Sequence, residues 1–241
     1  MANMNIRRLA KDIRCILRDP IENIFYKHDE ENVTRGYAMI IGPADTPYEN
    51  GYYLFEFTFP EQYPFLPPIV KYYTNDGTTR FNPNFYVCGK VCLSVLNTWK
   101  GEGWTSCQTI KSVLLALQCA LNDKPLLNEP GITEQHRDYK NYNNMLSYKN
   151  IEIAILGIVN EKYFDRKFAQ FQSEIFDQFA KNREWIIAKI DSFADIIADN
   201  TVQKLGVYAS QYLVNFTYIK CLLNNADQKL SNYQKRSSSL S

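Results

Sequence analysis

The segment Asn82-Pro83-Asn84-Phe85-Tyr86-Val87-Cys88-Gly89-Lys90-Val91-Cys92-Leu93-Ser94-Val95-Leu96 holds the residues best suited to chemistry. It lies in a stretch, 75–104, where Asn, Gly, Pro and short apolar clusters replace any sustained period. A structureless run of that length inside a compact domain is often functional. A cysteine there is positioned by its surroundings, and Cys92 is expected to sit in an open groove. The thiolate is the reactive form, and a free thiol ionises at a pH of about 8.5. The chain has two histidines, His28 and His136, and neither lies in this segment. A cysteine hydrolase would therefore need His136 brought within hydrogen-bond reach of Cys92 by the fold. A thiol without such a base suits exchange between thioesters, where attacking and leaving sulfurs have similar basicity. Spacing alone leaves a buried, inert thiol equally open, and leaves Asn84 open as a plain turn residue, because Asn-Pro-Asn is good turn chemistry. Cys88-x-x-x-Cys92 is poor zinc spacing and no second pair follows, so no metal is expected.

The elements that must position this segment stand on either side of it. Residues 34–41 (TRGYAMII), 51–59 (GYYLFEFTF) and 69–74 (IVKYYT) are rich in β-formers, and Ile24–His28 adds a candidate edge strand. Tyr53, Phe55, Phe57 and Phe59 fall on one face. Gly42-Pro43-Ala44-Asp45-Thr46-Pro47 reads as a turn-rich link, and PEQYPFLPP at 60–68 as a stiff surface loop. Ile6, Leu9, Ile13, Ile16 and Leu17 recur at helical spacing up to Asp19-Pro20, which predicts a first amphipathic helix. Thr105-Ser106-Cys107-Gln108 reads as a Thr-x-x-Gln capping box. It would open a helix with the stripe Ile110, Val113, Leu114, Leu117 and Leu121, ended by Lys124-Pro125. From about 134 the chain reads as helical almost to its end. Phe164, Phe168, Phe171, Ile175 and Phe179 make one stripe, continued by Ile186, Ile190, Phe193 and Ile197; Tyr208, Tyr212, Phe216 and Ile219 make another. The polar tail 231–241 is expected to be disordered. The fold class is α+β: an antiparallel meander sheet flanked by helices, with an α-helical C-terminal extension.

Lys and Arg number 27 against 26 Asp and Glu, a net charge of +1. That balance argues against nucleic-acid and membrane-surface partners, which need a basic footprint. No run of about 18 apolar residues occurs, so no membrane span is expected. The opening MANMNIRRLAKDIRC lacks the apolar centre of a signal peptide. Six cysteines without a secretory signal are expected as reduced thiols in a cytoplasmic or nuclear setting. Cys15, Cys107, Cys119 and Cys221 read as packing residues on helices.

The segments IIGPADTPYENGYYLFEFTFP, EQYPFLPP, NPN and GKVCLSVL, followed by Trp104 and SVLLAL, stand in the order of the ubiquitin-conjugating catalytic domain. Over roughly residues 5–150 the chain resembles that family. CLSVLNTWKGEGW, with inserted residues before Trp104, and LLNEPG at 126–131 are similar to the larger Z-type members, which also carry a helical C-terminal extension. The resemblance implies the ubiquitin-conjugating catalytic fold over 1–155, the helical extension over 156–230 and the tail over 231–241. It implies that Cys92 accepts ubiquitin or a ubiquitin-like modifier from an activating enzyme as a thioester. The modifier then passes to a lysine amine of a protein substrate, with a ubiquitin ligase as further partner. ATP is used by the activating enzyme, so no cofactor is implied on this chain.

Residue by residue, Asn84 matches the asparagine of the family's His-Pro-Asn motif, which steadies the oxyanion or orders the loop. Loss of one such donor elsewhere costs about 10²–10³ in rate. Asn82 replaces the motif's histidine, as in Z-type members. Asn128 falls where most members have an acidic gate residue, and an amide cannot act as a general base. The lysine would then lose its proton through desolvation or with a partner's help, or a one-residue shift puts Glu129 in that role. Phe65 matches a ligase-contacting position. Arg7, Arg8 and Lys11 match a face used by the activating enzyme, or are a merely solvated face. Trp104-Thr105-Ser106-Cys107 stands where the second ligase loop usually reads Trp-Ser-Pro-Ala, and the missing proline puts standard RING-type engagement in question. An inactive member that binds ubiquitin or a ligase without accepting the modifier is the alternative; such variants usually lack the cysteine.

Overall fold

Four short runs of β-branched and aromatic residues pair in chain order as an antiparallel meander. They are β1 (Ile24–His28), β2 (Arg35–Ile41), β3 (Tyr52–Thr58) and β4 (Ile69–Tyr72). The computed structural model describes residues 2–238, with side chains from residue 6 onward. In the β2–β3 register Tyr37 lies opposite Glu56 and Ala38 opposite Phe55, so alternate β3 residues face opposite sides of the sheet. On one side Tyr53 and Phe55 meet Phe81 and Phe85 edge-on. The other side, with Leu54 and Glu56, is covered by the C-terminal extension, and both faces of β3 are buried.

α1 (Ala2–Arg18) buries Leu9 and Ile16, while Ile6 and Leu17 of the expected stripe are exposed. α2 (Ile110–Ala120) buries Ile110, Val113, Leu114 and Leu117 as its periodicity requires. Its cap differs from the expected one. Thr109 is the N-cap: its Oγ1 accepts from Ser112 N–H, and Ser112 Oγ accepts from Thr109 N–H at 2.9 Å. Thr105 and Gln108 close a separate turn before the helix, with Thr105 N–H donating to Gln108 Oε1 at 3.1 Å. Both pairs fit a capping pattern, and the one adjoining the first buried residue starts the helix.

α3 (Tyr139–Lys149) runs without a break into a π-helical stretch, Asn150–Gly157, buried at nearly every position. A helix apolar all round must be enclosed, and this one has the sheet on one side and the extension on the other. The expected boundary at 155/156 falls inside this rod. Tyr53 Oη donates to Asn150 Oδ1 at 2.7 Å, and Asn150 Nδ2 donates to Glu49 O at 2.8 Å.

The extension contains a 3-10 turn (Arg166–Phe171), α4 (Gln172–Ala194) and α5 (Phe216–Ser238). Two expectations are corrected here. Between α4 and α5 the chain forms an antiparallel hairpin, β5 (Thr201–Lys204) with β6 (Gln211–Val214), so Tyr208, Tyr212, Phe216 and Ile219 are not one helical stripe. Tyr212, Val214 and Phe216 are buried at a spacing of two, which the sequence carries alongside the spacing of four. The tail is helical through Ser238 rather than disordered, as the continuation of a helix anchored by buried Ile219, Leu222 and Ala226; residues 239–241 lie outside the described part.

Candidate active site

The Asn82–Leu96 segment forms a tight loop laid against the edge of β4. Tyr72 N–H donates to Gly89 O at 2.8 Å, and Lys90 bridges Lys71. Gly89 has a φ of 89°, and a Cβ there would meet Tyr72 O at 2.8 Å, so this approach to the strand demands glycine. Across the loop Asn84 and Cys92 are joined twice. Cys92 N–H donates to Asn84 O at 2.9 Å, and Asn84 Nδ2 donates to Cys92 O at 2.7 Å.

Asn82 holds this loop from beneath. Fully buried, it donates through Nδ2 to Tyr48 Oη at 2.9 Å and to Ala120 O at 2.8 Å. Its Oδ1 accepts from Asn84 N–H at 2.8 Å. Ala120 O belongs to the last turn of α2, where carbonyls lack intrahelical partners. The helix end is thereby satisfied and the Asn-Pro-Asn turn is fixed to it.

Cys92 is 2% exposed, which corrects the expectation of an open groove. The lack of periodicity left the thiol's surroundings undetermined, but buried Val91, Val95 and Leu96 draw the backbone on both sides inward. Thr98 clips the inserted residues back onto the same segment: its Oγ1 accepts from Leu93 N–H and lies 2.9 Å from Val91 O. Cys88, four residues earlier, is exposed. So are Cys15, Cys107, Cys119 and Cys221, which are not packing residues as expected. Cys107 precedes α2, and Cys119 lies off its buried stripe.

The gate position is turned toward the end of α2. Asn128 donates to Ala120 O at 3.4 Å and accepts from Asn122 Nδ2 at 3.3 Å. Asn82 and Asn128 thus share one carbonyl. Glu129, the neighbouring carboxylate, accepts a hydrogen bond from Tyr208 Oη on the β5–β6 turn. His136 Nδ1 faces Asp138 N–H at 3.2 Å, and among the described residues no hydrogen bond joins it to Cys92.

The expected partner residues divide. Phe65 is 65% exposed at the tip of the proline-rich loop, beside exposed Leu66. Trp104 is buried and donates through Nε1 to Pro64 O at 2.7 Å, so it braces that loop. Arg7 and Lys11 are exposed. Arg8, partly exposed, is also a strut: it pairs with Asp12 at 3.0 Å and donates to Ser106 O at 2.7 Å and Gln108 O at 2.6 Å. Asp12 also accepts from Tyr63 Oη. Helical spacing shows which face Arg8 is on but not that a distant loop returns to meet it. Arg80 carried no local signal, and Tyr208 read only as a member of an apolar stripe, so neither was a candidate site residue. Among the described residues no cluster of His, Cys, Asp and Glu is gathered as a metal site. A cleft of about 660 Å³ lined by Leu17, Lys27, His28 and Lys167 holds no cysteine.

A four-stranded meander with a cysteine loop on its last edge, pinned by an asparagine turn to the following helix, defines the class. A model of the family described as Ubiquitin-conjugating enzyme matches residues 8–155, more than half of the chain, and the chain belongs to that family. It is related to the Z type. Ubiquitin-conjugating enzyme E2 Z of Xenopus tropicalis is 41% identical over 164 residues, covering 67% of this chain and 52% of that protein. E2 Z of Homo sapiens is 42% identical over 158 residues, 64% and 45% of the two chains. Probable ubiquitin-conjugating enzyme protein 17 of Caenorhabditis elegans is 30% identical over 247 residues, spanning 95% of this chain and 33% of its own length. The chain thus spans about half the length of the E2 Z relatives.

Proposed function

We propose that this protein accepts ubiquitin, or a ubiquitin-like modifier, on Cys92 and transfers it to a lysine amine. The observation that carries the reading is the paired hydrogen bonding of Asn84 and Cys92, which sets an amide donor and a thiol in one rigid loop. In the first step Cys92 gives its proton to solvent, and the thiolate attacks the carbonyl of the activating enzyme's thioester. A new C–S bond forms and the enzyme's thiolate leaves. In the second step an unprotonated lysine amine attacks the Cys92 thioester. The C–N bond forms, Cys92 leaves as thiolate, and the proton on nitrogen passes to water. Exchange between thioesters is near-neutral in driving force, while thioester to amide is downhill. Much of the acceleration comes from holding amine and thioester together. ATP is consumed on the activating enzyme, so this chain needs no cofactor of its own.

In the resting structure Asn84 Nδ2 is engaged on Cys92 O. That arrangement supports loop ordering, with the amide turning to the oxyanion only during transfer. A cysteine residue only 2% exposed is closed to another protein's thioester, so loading includes a local opening around Cys92. Alkylation by a small maleimide should accordingly modify exposed Cys88 at least about tenfold faster than Cys92, read by peptide mass spectrometry. The same burial favours a second reading, a binder of ubiquitin or of a ligase that never accepts the modifier. Incubation with activating enzymes, ATP and ubiquitin separates the two. A thiol-sensitive adduct abolished by Cys92→Ala supports transfer; no adduct with any activating enzyme and modifier leaves the binder.

A further inference from the structure

The turn between β5 and β6 reaches two parts of the site at once. Tyr208 and Ala209 adopt φ values of 57° and 47°, the left-handed region, in succession. A non-glycine residue held there is strained and persists where its surroundings over-determine it. A glycine would take the same turn without the penalty. What the tyrosine gains is a set of contacts. Its hydroxyl donates to Glu129, its ring lies 4.8 Å from the Arg80 guanidinium, and Tyr142 packs edge-on at 6.0 Å. Val207 N–H beside it donates to Asp138 Oδ2 at 2.8 Å.

Arg80 leads directly into the asparagine turn. It donates to Asn82 O at 3.1 Å and Pro83 O at 2.7 Å, and its guanidinium covers the Tyr86 ring at 3.5 Å. The 128–129 segment is thus tied to the Asn82–Asn84 turn by two routes. Asn128 reaches Asn82 through the shared Ala120 carbonyl, and Glu129 reaches Arg80 through Tyr208. Burial, and then the neighbouring Glu129, hold the Tyr208 phenol well above its ordinary range, so it stays protonated as the donor.

We infer that Tyr208 is a positioning residue for transfer to an amine: it holds the Glu129 carboxylate on the side of the Asn82–Asn84 turn, where the carboxylate draws in the lysine as its cation before that cation gives its proton to water and the free amine attacks. A residue of the extension thereby completes the acceptor side of the site. This rests on the acyl-carrier reading above, and the test separates the two. The full-length protein is loaded with ubiquitin by an activating enzyme and ATP, and the isolated thioester is discharged into free lysine or into 2-mercaptoethanol. A thiol acceptor carries no cation and has no use for Glu129.

Tyr208→Phe keeps the ring on Arg80 and removes only the hydroxyl. It should slow lysine discharge about five- to tenfold, with the dependence on lysine concentration flattened, and change thiol discharge by less than about twofold. Glu129→Gln should do the same, and the double variant should be no slower than Glu129→Gln alone. Lysine discharge at the wild-type rate in both single variants overturns the inference. So does an equal fall with both nucleophiles, which marks a merely structural role. A wild-type protein that never loads overturns the carrier reading itself, and this inference with it.

Discussion

Two asparagines separated by one proline divide the work of the Cys92 loop. Asn82 is enclosed, with Tyr48, Ala120 and Asn84 all bonded to its side chain. Replacing it with alanine leaves buried polar groups unpaired, and each such group costs about 1–3 kcal/mol. Asn82→Ala is therefore expected to lower unfolding free energy by about 2–4 kcal/mol, seen as a lower denaturant midpoint at unchanged slope. Asn84 faces the reacting residue instead, with its amide on Cys92 O. Asn84→Ala should let loaded protein accumulate and slow its discharge into lysine by about 10²-fold or more, read from single-turnover gels. Both asparagines were visible in the sequence as a motif. Their difference was not, because it depends on Tyr48 and Ala120, which the motif does not contain.

At the scale of elements, α1 is fastened to the loop before α2 by one side chain. Arg8 joins Asp12 to the Ser106 and Gln108 carbonyls, and Asp12 is 3% exposed. Asp12 is the buried member of this pair, and removing its cation is more damaging than the pair is stabilising, since the buried charge stays behind. Arg8→Ala is expected to cost about 2–4 kcal/mol, measured by thermal or denaturant unfolding. Arg7→Ala and Lys11→Ala should shift stability by no more than about 0.5 kcal/mol. If this face meets an activating enzyme, those two variants should slow loading at low salt, with the defect fading as salt rises. The helix itself was legible from its spacing. The separation of Arg8 from its exposed neighbours required the fold.

Across the whole molecule, the extension closes the second face of the sheet. Phe168 is wholly buried, edge-on to Tyr37 and to Tyr73. Lys167 reaches Glu56 on β3 at 3.1 Å and Tyr73 Oη at 2.8 Å, and Lys27 on β1 pairs with Glu174 at 2.6 Å. Burial works to raise the Glu56 pKa, but hydrogen bonds from Tyr73 and Lys167 outweigh it and hold the carboxyl below its ordinary value. A carboxyl depressed in the folded state stabilises above its unfolded pKa, and that contribution is lost as pH falls through the folded value. Glu56→Gln should therefore cost about 1–3 kcal/mol near neutral pH. Its deficit against the wild type should shrink as pH falls below the ordinary glutamate range and through the lower folded value, followed by unfolding at each pH. A fragment ending near residue 160 would bare Tyr37, Tyr73 and the apolar helix 150–157, and should aggregate or bind a hydrophobic dye.

Alternation along the strands, the proline-rich loop and the ordered motifs around Cys92 determined the family, the meander and the identity of the candidate nucleophile. These are local patterns, and local backbone preference suffices to express them. The tertiary structure decided that Cys92 is covered, that residues 201–214 form a hairpin, that Arg8 reaches the loop before α2 and that Tyr208 grips Glu129. Arg8 with the Ser106 and Gln108 carbonyls, and Tyr208 with Glu129, are partners far apart in the chain that meet only after the core has packed. The hairpin and the covering of Cys92 involve near neighbours whose apolar spacing fits more than one arrangement until the core selects one.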